Sequence, residues 1–126
     1  MVHSYAELNK RVHNLMNEYA TESPDVMKGF MALHHQSMAS GALPRKLKEL
    51  IALSIAICIQ CDGCIAYHIH DALDAGATHD EIACTIGVAI LMGGGPSVVY
   101  GSQALDALKE FEKIGHRISK NPIQQG

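Results

Sequence analysis

Four side chains near the middle of the chain have the types and spacing to do redox chemistry. Residues 61 to 70 read CDGCIAYHIH, with Cys61 and Cys64 three apart and His68 four beyond the second cysteine. A Cys-x-x-Cys holds two sulfurs close enough to close a small disulfide ring, and at a helix start the backbone dipole favours the thiolate. On a helix Cys64 and His68 are about one turn apart, so the imidazole can sit over the thiol and take its proton. Upstream, Glu49 is the nearest carboxylate. If the helix that carries it packs on the motif helix, Glu49 can bind His68 or relay its proton.

Other readings of the same residues compete with this one. The cysteines can be inert core residues, and Glu49, flanked by Lys46 and Lys48, can be an ordinary solvated carboxylate. Structural zinc normally takes four ligands, usually from two pairs, and only one cysteine pair plus His68 is on offer. No metal or other cofactor is therefore expected. His70 falls about 200° around the helix from His68 and should face elsewhere. Cys58 and Cys84 sit in apolar runs and read as buried small hydrophobes. His3, His13, His34, His35, His79 and His116 have no partner that spacing can name. Gly93 to Gly95 lack the strand and the lysine of a phosphate loop and read as a helix break that can line a site.

The elements that must position these groups are all helical. Ser4 and Glu7 make a capping box, and Leu8, Val12, Leu15, Met16 and Tyr19 recur at helical spacing, which predicts a first helix over about 4–21. Ser23 and Pro24 open a second, with Val26, Met27, Phe30, Met31 and Leu33 on its apolar side, until Gly41. Pro44 opens a third that is apolar almost all round from Leu47 to Ile59 and so belongs in the middle. The fourth starts at the cysteine motif and runs to Ala75, with Gly76 as its left-handed terminator. Thr78 and Glu81 form a second capping box for a fifth helix, and a last one runs from about Pro96 to Arg117 before a polar tail. No strand-like alternation or repeat occurs. The expected fold is all-α, about six helices with an apolar pair at the centre.

With 126 residues the chain is about one domain, large enough to bury a core without disulfides. A formal net charge of -3 offers no basic field for phosphate, so nucleic acid is not an expected partner. The apolar runs LIALSIAICI and IACTIGVAILM are shorter than the roughly 20 residues that cross a bilayer, so no membrane span is expected. The opening MVHSYAELNKRVHNLM lacks the layout of a secretory signal, and a cytoplasmic location is expected. There thiols stay mostly reduced, so any disulfide should be catalytic rather than structural.

Glu49, Cys61, Cys64 and His68, together with the surrounding AYH, AGAT and GGGP segments, resemble the AhpD-like alkylhydroperoxidase family of the carboxymuconolactone decarboxylase superfamily. The resemblance covers roughly residues 43–108 within a single domain over 1–126. It implies an all-helical subunit, a homo-trimer or homo-hexamer, and a peroxiredoxin-type site. In that site Cys64 is oxidised by peroxide, Cys61 donates a proton and closes the disulfide, and His68 with Glu49 relays protons. A thiol or dithiol electron donor is implied as partner. Where the well-studied peroxidases have a histidine before the second cysteine, this chain has Gly63. The expected function is a thiol-dependent peroxidase or disulfide reductase. The alternative is a redox sensor or scaffold without turnover, and after it a decarboxylase-type or metal-binding member. Because 48% of residues are hydrophobic, more than six helices of this size should easily cover, an oligomer is expected on physical grounds too.

Overall fold

The computed structural model describes residues 2–119, with side chains over 2–115. Six helices follow one another: α1 Tyr5–Glu22, α2 Pro24–Met38, α3 Arg45–Cys58, α4 Asp62–Asp74, α5 His79–Gly93 and α6 Gly95–Ser119. No strand occurs among the described residues, and the polar tail lies outside them. No described helix is long and apolar enough to cross a membrane. The core sits where α3, α4, α5 and α6 meet, around Leu53, Ile57, Ile65, Ile69, Ile82 and Leu108, all fully buried. Alanines at the crossings (Ala56, Ala66, Ala104, Ala107) let the backbones approach closely. Helix α1 lies across α4 and α6, and α2 packs on α1 and touches α3 only lightly.

The apolar helices are only partly covered, as the excess of apolar residues implies. The third helix is not covered all round: Leu47, Ile51, Ile55 and Ile59, each four residues from the last, are 40 to 64% exposed. On α5, Val88, Leu91 and Met92 are exposed as well. A helix apolar on every side needs neighbours on every side, and α3 has them only where α4, α5 and α6 pack. The apolar side of α2 is likewise not core, since Val26, Phe30 and Leu33 are exposed and the helix buries no residue.

The helix ends follow local chemistry, with one long-range substitution. Thr78 and Glu81 form the reciprocal capping box expected at α5. The hydrogen bond from the Thr78 N–H, and then Lys46 3.0 Å away, hold the Glu81 carboxyl below its ordinary value. At α2, Pro24 occupies the first turn, but the Ser23 side chain makes no cap bond. At α1 the Ser4 hydroxyl accepts the Glu7 N–H at 3.1 Å, yet Glu7 does not reciprocate. Its place is taken by Glu110 of α6, which accepts from the N–H groups of Tyr5 (2.8 Å) and Ala6 (3.1 Å) and from the Ser4 hydroxyl (2.6 Å). These are the donors a helix start leaves unpaired, and a carboxylate there also meets the positive end of the dipole. The buried Tyr5 side chain extends the tie, donating its hydroxyl to Gln103 of α6 at 3.0 Å.

Partial burial raises the Glu110 carboxyl, but the bonds from Ser4, Tyr5 and Ala6 outweigh it and leave the group below its ordinary value. Because the folded value lies below the unfolded one, the clasp stabilises fully above the unfolded value, and that contribution is lost as pH falls through the folded value. Glu110→Gln should therefore cost about 1–2 kcal/mol at pH 7, with the gap to the parent closing on acidification below about pH 4. Urea titrations at both pH values check this. Equal stability of the two proteins at pH 7 would remove the clasp from the account.

The glycine run forms the corner between α5 and α6. Gly94 takes a positive φ of 72°, and a Cβ on Gly93 would collide with the Ser97 side chain. Cys58 lies beside this corner, and the run lines no part of the cavity described below.

Candidate active site

Helix α3 ends in a Schellman motif, with the Gln60 N–H donating to the Ile57 carbonyl at 3.2 Å and the Cys61 N–H to the Ala56 carbonyl at 3.1 Å. Gln60 fills the left-handed position at φ 62°, where an L side chain costs about 1–2 kcal/mol. This turn lays α4 back along α3 within three residues. Cys61 closes α3 and is also the N-cap of α4, its Sγ accepting the Cys64 N–H at 3.2 Å. The two cysteines are joined as a disulfide, with their Cα atoms 5.2 Å apart. Both sulfurs thus lie at the positive end of α4, where a thiolate is favoured once the bond is reduced.

One turn further along α4, His68 Nδ1 lies 2.9 Å from Oε2 of Glu49 on α3. Glu49 is only 1% exposed, so it is not the solvated carboxylate its lysine neighbours allow for. The pairing directs the Nδ1–H at the carboxylate and leaves Nε2 as the ring nitrogen free to exchange a proton. The sequence-predicted set of Cys61, Cys64, His68 and Glu49 is therefore gathered into one place by a single helix pair. His70 faces away, pairing with Asp71 at 2.9 Å and edge-on to Phe111.

A cavity of about 320 Å³ opens over Cys61, Cys64 and His68. Its floor is α4, with Cys61, Gly63, Cys64, Tyr67 and His68, and its roof is the α1–α2 hairpin, with Val12, Met16, Phe30 and His34. Gly63 has a steric reason within this chain, since a Cβ there would approach Val12 Cγ2 to 3.1 Å, so the roof sits directly on the backbone at that point. The aromatic layer around Tyr67 was not visible in the sequence. His13 stacks on Tyr67 with ring centres 5.0 Å apart, and His34 and His68 meet it edge-on. Burial, then the nearby Asp71 and Glu49 carboxylates, push the Tyr67 phenol above its ordinary value. Spacing could not find this cluster because its members come from three helices.

The remaining cysteines are apart from the pair. Cys58 is half-buried and donates to the Ala89 carbonyl at 3.4 Å. Cys84 is exposed, contrary to the buried position its apolar run implies, because it lies on a side of α5 that no helix covers. His79, which spacing left without a partner, pairs with Glu112 of α6 at 2.9 Å. Among the described residues no three His, Cys, Asp or Glu side chains are grouped so as to hold a metal.

Comparison with known proteins agrees with this architecture. The model of the carboxymuconolactone decarboxylase family matches residues 24–107. A Legionella pneumophila protein of that family has the same fold at a TM-score of 0.82, with 38% identity, over 85% of this chain and 96% of its own. A Thermotoga maritima member, for which a part in an antioxidative response has been raised, superposes at 0.79 with 26% identity, over 86% of this chain and 93% of its own. A Cupriavidus necator protein without assigned function is 38% identical over 82 residues, 65% of this chain and 73% of its own. With the family model spanning most of the chain and these relatives sharing its helical fold, the protein belongs to the carboxymuconolactone decarboxylase family, within the AhpD-like superfamily.

Proposed function

We propose that the protein is a thiol-dependent peroxidase working through Cys64, Cys61, His68 and Glu49. The observation that carries this reading is a cysteine couple at a helix start that shares one cavity with His68, whose other ring nitrogen is paired to the buried Glu49 behind it. In the reduced protein His68 takes the Cys64 proton, and Glu49 stabilises the imidazolium. The thiolate attacks the near oxygen of the peroxide, the O–O bond breaks, and an alcohol or water leaves with a proton, giving Cys64 sulfenic acid. Cys61 then attacks that sulfur, expelling water and closing the disulfide. An external dithiol restores both thiols and leaves as its own disulfide. The same couple accounts for disulfide reductase activity, in which a partner's disulfide replaces the peroxide.

The test is consumption of peroxide in molar excess by the reduced protein with dithiothreitol as donor. Consumption that stops at one equivalent per chain would instead identify a redox sensor, in which the state of the pair acts without turnover.

The exposed apolar sides of α3 and α5 support assembly with further copies of the chain, as a trimer or a hexamer built from trimers. Sedimentation at micromolar concentration should show no 13.6 kDa species. A clean monomer with full thiol activity would mean that this surface serves another purpose.

A further inference from the structure

Asp62 places a carboxylate inside the redox motif. It stands between Cys61 and Cys64 and is the first residue of α4, so its charge and both sulfurs share the positive end of one helix. Its place there is fixed from the α6 side. The hydroxyl of Tyr5, a residue 1% exposed, lies 3.4 Å from Asp62 Oδ1 and 3.0 Å from Gln103 of α6. Burial first, and then the Asp62 charge, push the Tyr5 phenol above its ordinary value, so it stays a donor. No cation answers the carboxylate: Asp62 forms no ion pair among the described residues, and no lysine or arginine lines the cavity. The other titratable groups around the sulfurs are His68 and Tyr67 of α4, Glu49 of α3 behind His68, His34 of α2, and His13 of α1 stacked on Tyr67.

We propose that Asp62 sets the reduction potential of the cysteine couple, holding beside it an unpaired negative charge that disfavours the thiolates and so favours the disulfide. It is a positioning residue, not a catalytic one. Successive residues of a helix turn by about 100°, which puts Asp62 about 160° around α4 from Cys64, so its charge acts through the sulfurs and meets no substrate. In the half-reaction the S–S bond takes up two electrons and opens to two thiolates, each of which binds a proton below its own pKa. The disulfide is uncharged and each thiolate carries one negative charge, so a fixed carboxylate penalises the reduced, ionised side alone. The helix dipole and His68 pull the other way. With Asp62 opposing them, the reduced pair is a stronger reductant than the helix start alone would leave it. The assignment concerns the couple itself and does not depend on which oxidant the pair meets.

The test equilibrates the full-length parent, Asp62→Asn and Asp62→Glu with mixtures of reduced and oxidised dithiothreitol and reads the fraction of closed pair at pH 6 and at pH 9. In that exchange dithiothreitol is oxidised to its cyclic disulfide, and its two electrons and two protons pass to Cys61 and Cys64. Asparagine keeps an oxygen for Tyr5 and removes only the charge. At pH 9, where thiolates are abundant, Asp62→Asn should favour the reduced pair by about tenfold, which is about 30 mV for a two-electron couple. At pH 6 fewer sulfurs are ionised, and the gap should narrow. Asp62→Glu, which restores the charge, should stay within about twofold of the parent. Equal ratios for the parent and Asp62→Asn at pH 9, a gap as wide at pH 6, or a glutamate variant that behaves as the asparagine one overturns the assignment. A pair that dithiothreitol leaves closed at every ratio overturns it together with the peroxidase reading. The expected shift without peroxide turnover upholds the assignment and removes only that reading.

Discussion

Peroxide turnover is expected to drop by about 10⁴-fold or more in Cys64→Ser, because a serine hydroxyl without a strong base is a far weaker nucleophile than a thiolate. The position of the residue makes the loss specific. Cys64 shares the cavity with His68, whereas Cys58 is bonded to the Ala89 carbonyl and Cys84 lies on the outside of α5. Cys84→Ser should keep parental turnover. Cys61→Ser should stop after one equivalent of peroxide, with Cys64 held as a sulfenic acid that dimedone traps and mass spectrometry detects. Turnover by Cys64→Ser near the parental rate would move the chemistry to another thiol and dismantle the proposed site.

The second large effect concerns the pair behind the cysteines. Glu49→Gln and His68→Ala should each lower turnover by about 10²- to 10⁴-fold, the usual contribution of a positioned proton-transfer group. Their effects on stability should differ. His68→Ala leaves a 1% exposed carboxylate without its hydrogen bond, and breaking a buried pair typically costs about 3–5 kcal/mol. Since the His68 side chain is itself 18% exposed, water can enter the space it vacates, which favours the lower end of that range. Glu49→Gln keeps an oxygen facing Nδ1 and removes only the charge, so it is the cleaner probe of the relay. Turnover and urea midpoints measured on both variants separate the two effects. Full activity in Glu49→Gln would reduce the carboxylate to a structural partner of His68.

What could be read before the structure was whatever is encoded locally. Ser4, Pro24, Pro44, Gly76 and the Thr78–Glu81 box mark helix ends because each acts on backbone groups within a few residues. The chemical set was legible for a related reason: Cys61, Cys64 and His68 share one helix, and Glu49 sits on the helix just before it. Periodicity says that a helix has an apolar side, not which neighbour will cover it, so an excess of apolar surface was legible while the row left exposed, Leu47 to Ile59, was not, and the position of Cys84 was misjudged. Glu110 was invisible as a cap because no pattern at α1 calls for a residue on α6. The cavity was invisible too, since His34, Val12 and Tyr67 are brought together only by the way α1 and α2 cross α4.

The Glu110 clasp also sets an order of events during synthesis. The thiols, His68 and Glu49 lie within twenty residues of one another, and all four have been made once α4 is complete. The roof over the cysteines belongs to α1 and α2, made earlier still, but the carboxylate that pins the start of α1 arrives only with α6. Translation adds about 5–20 residues per second, which leaves an interval of a few seconds between the two. During it a nascent chain carries the reactive cysteine pair without a secured cavity above it. The residues of the proposed chemistry are complete before the clasp that secures the cavity above Cys64.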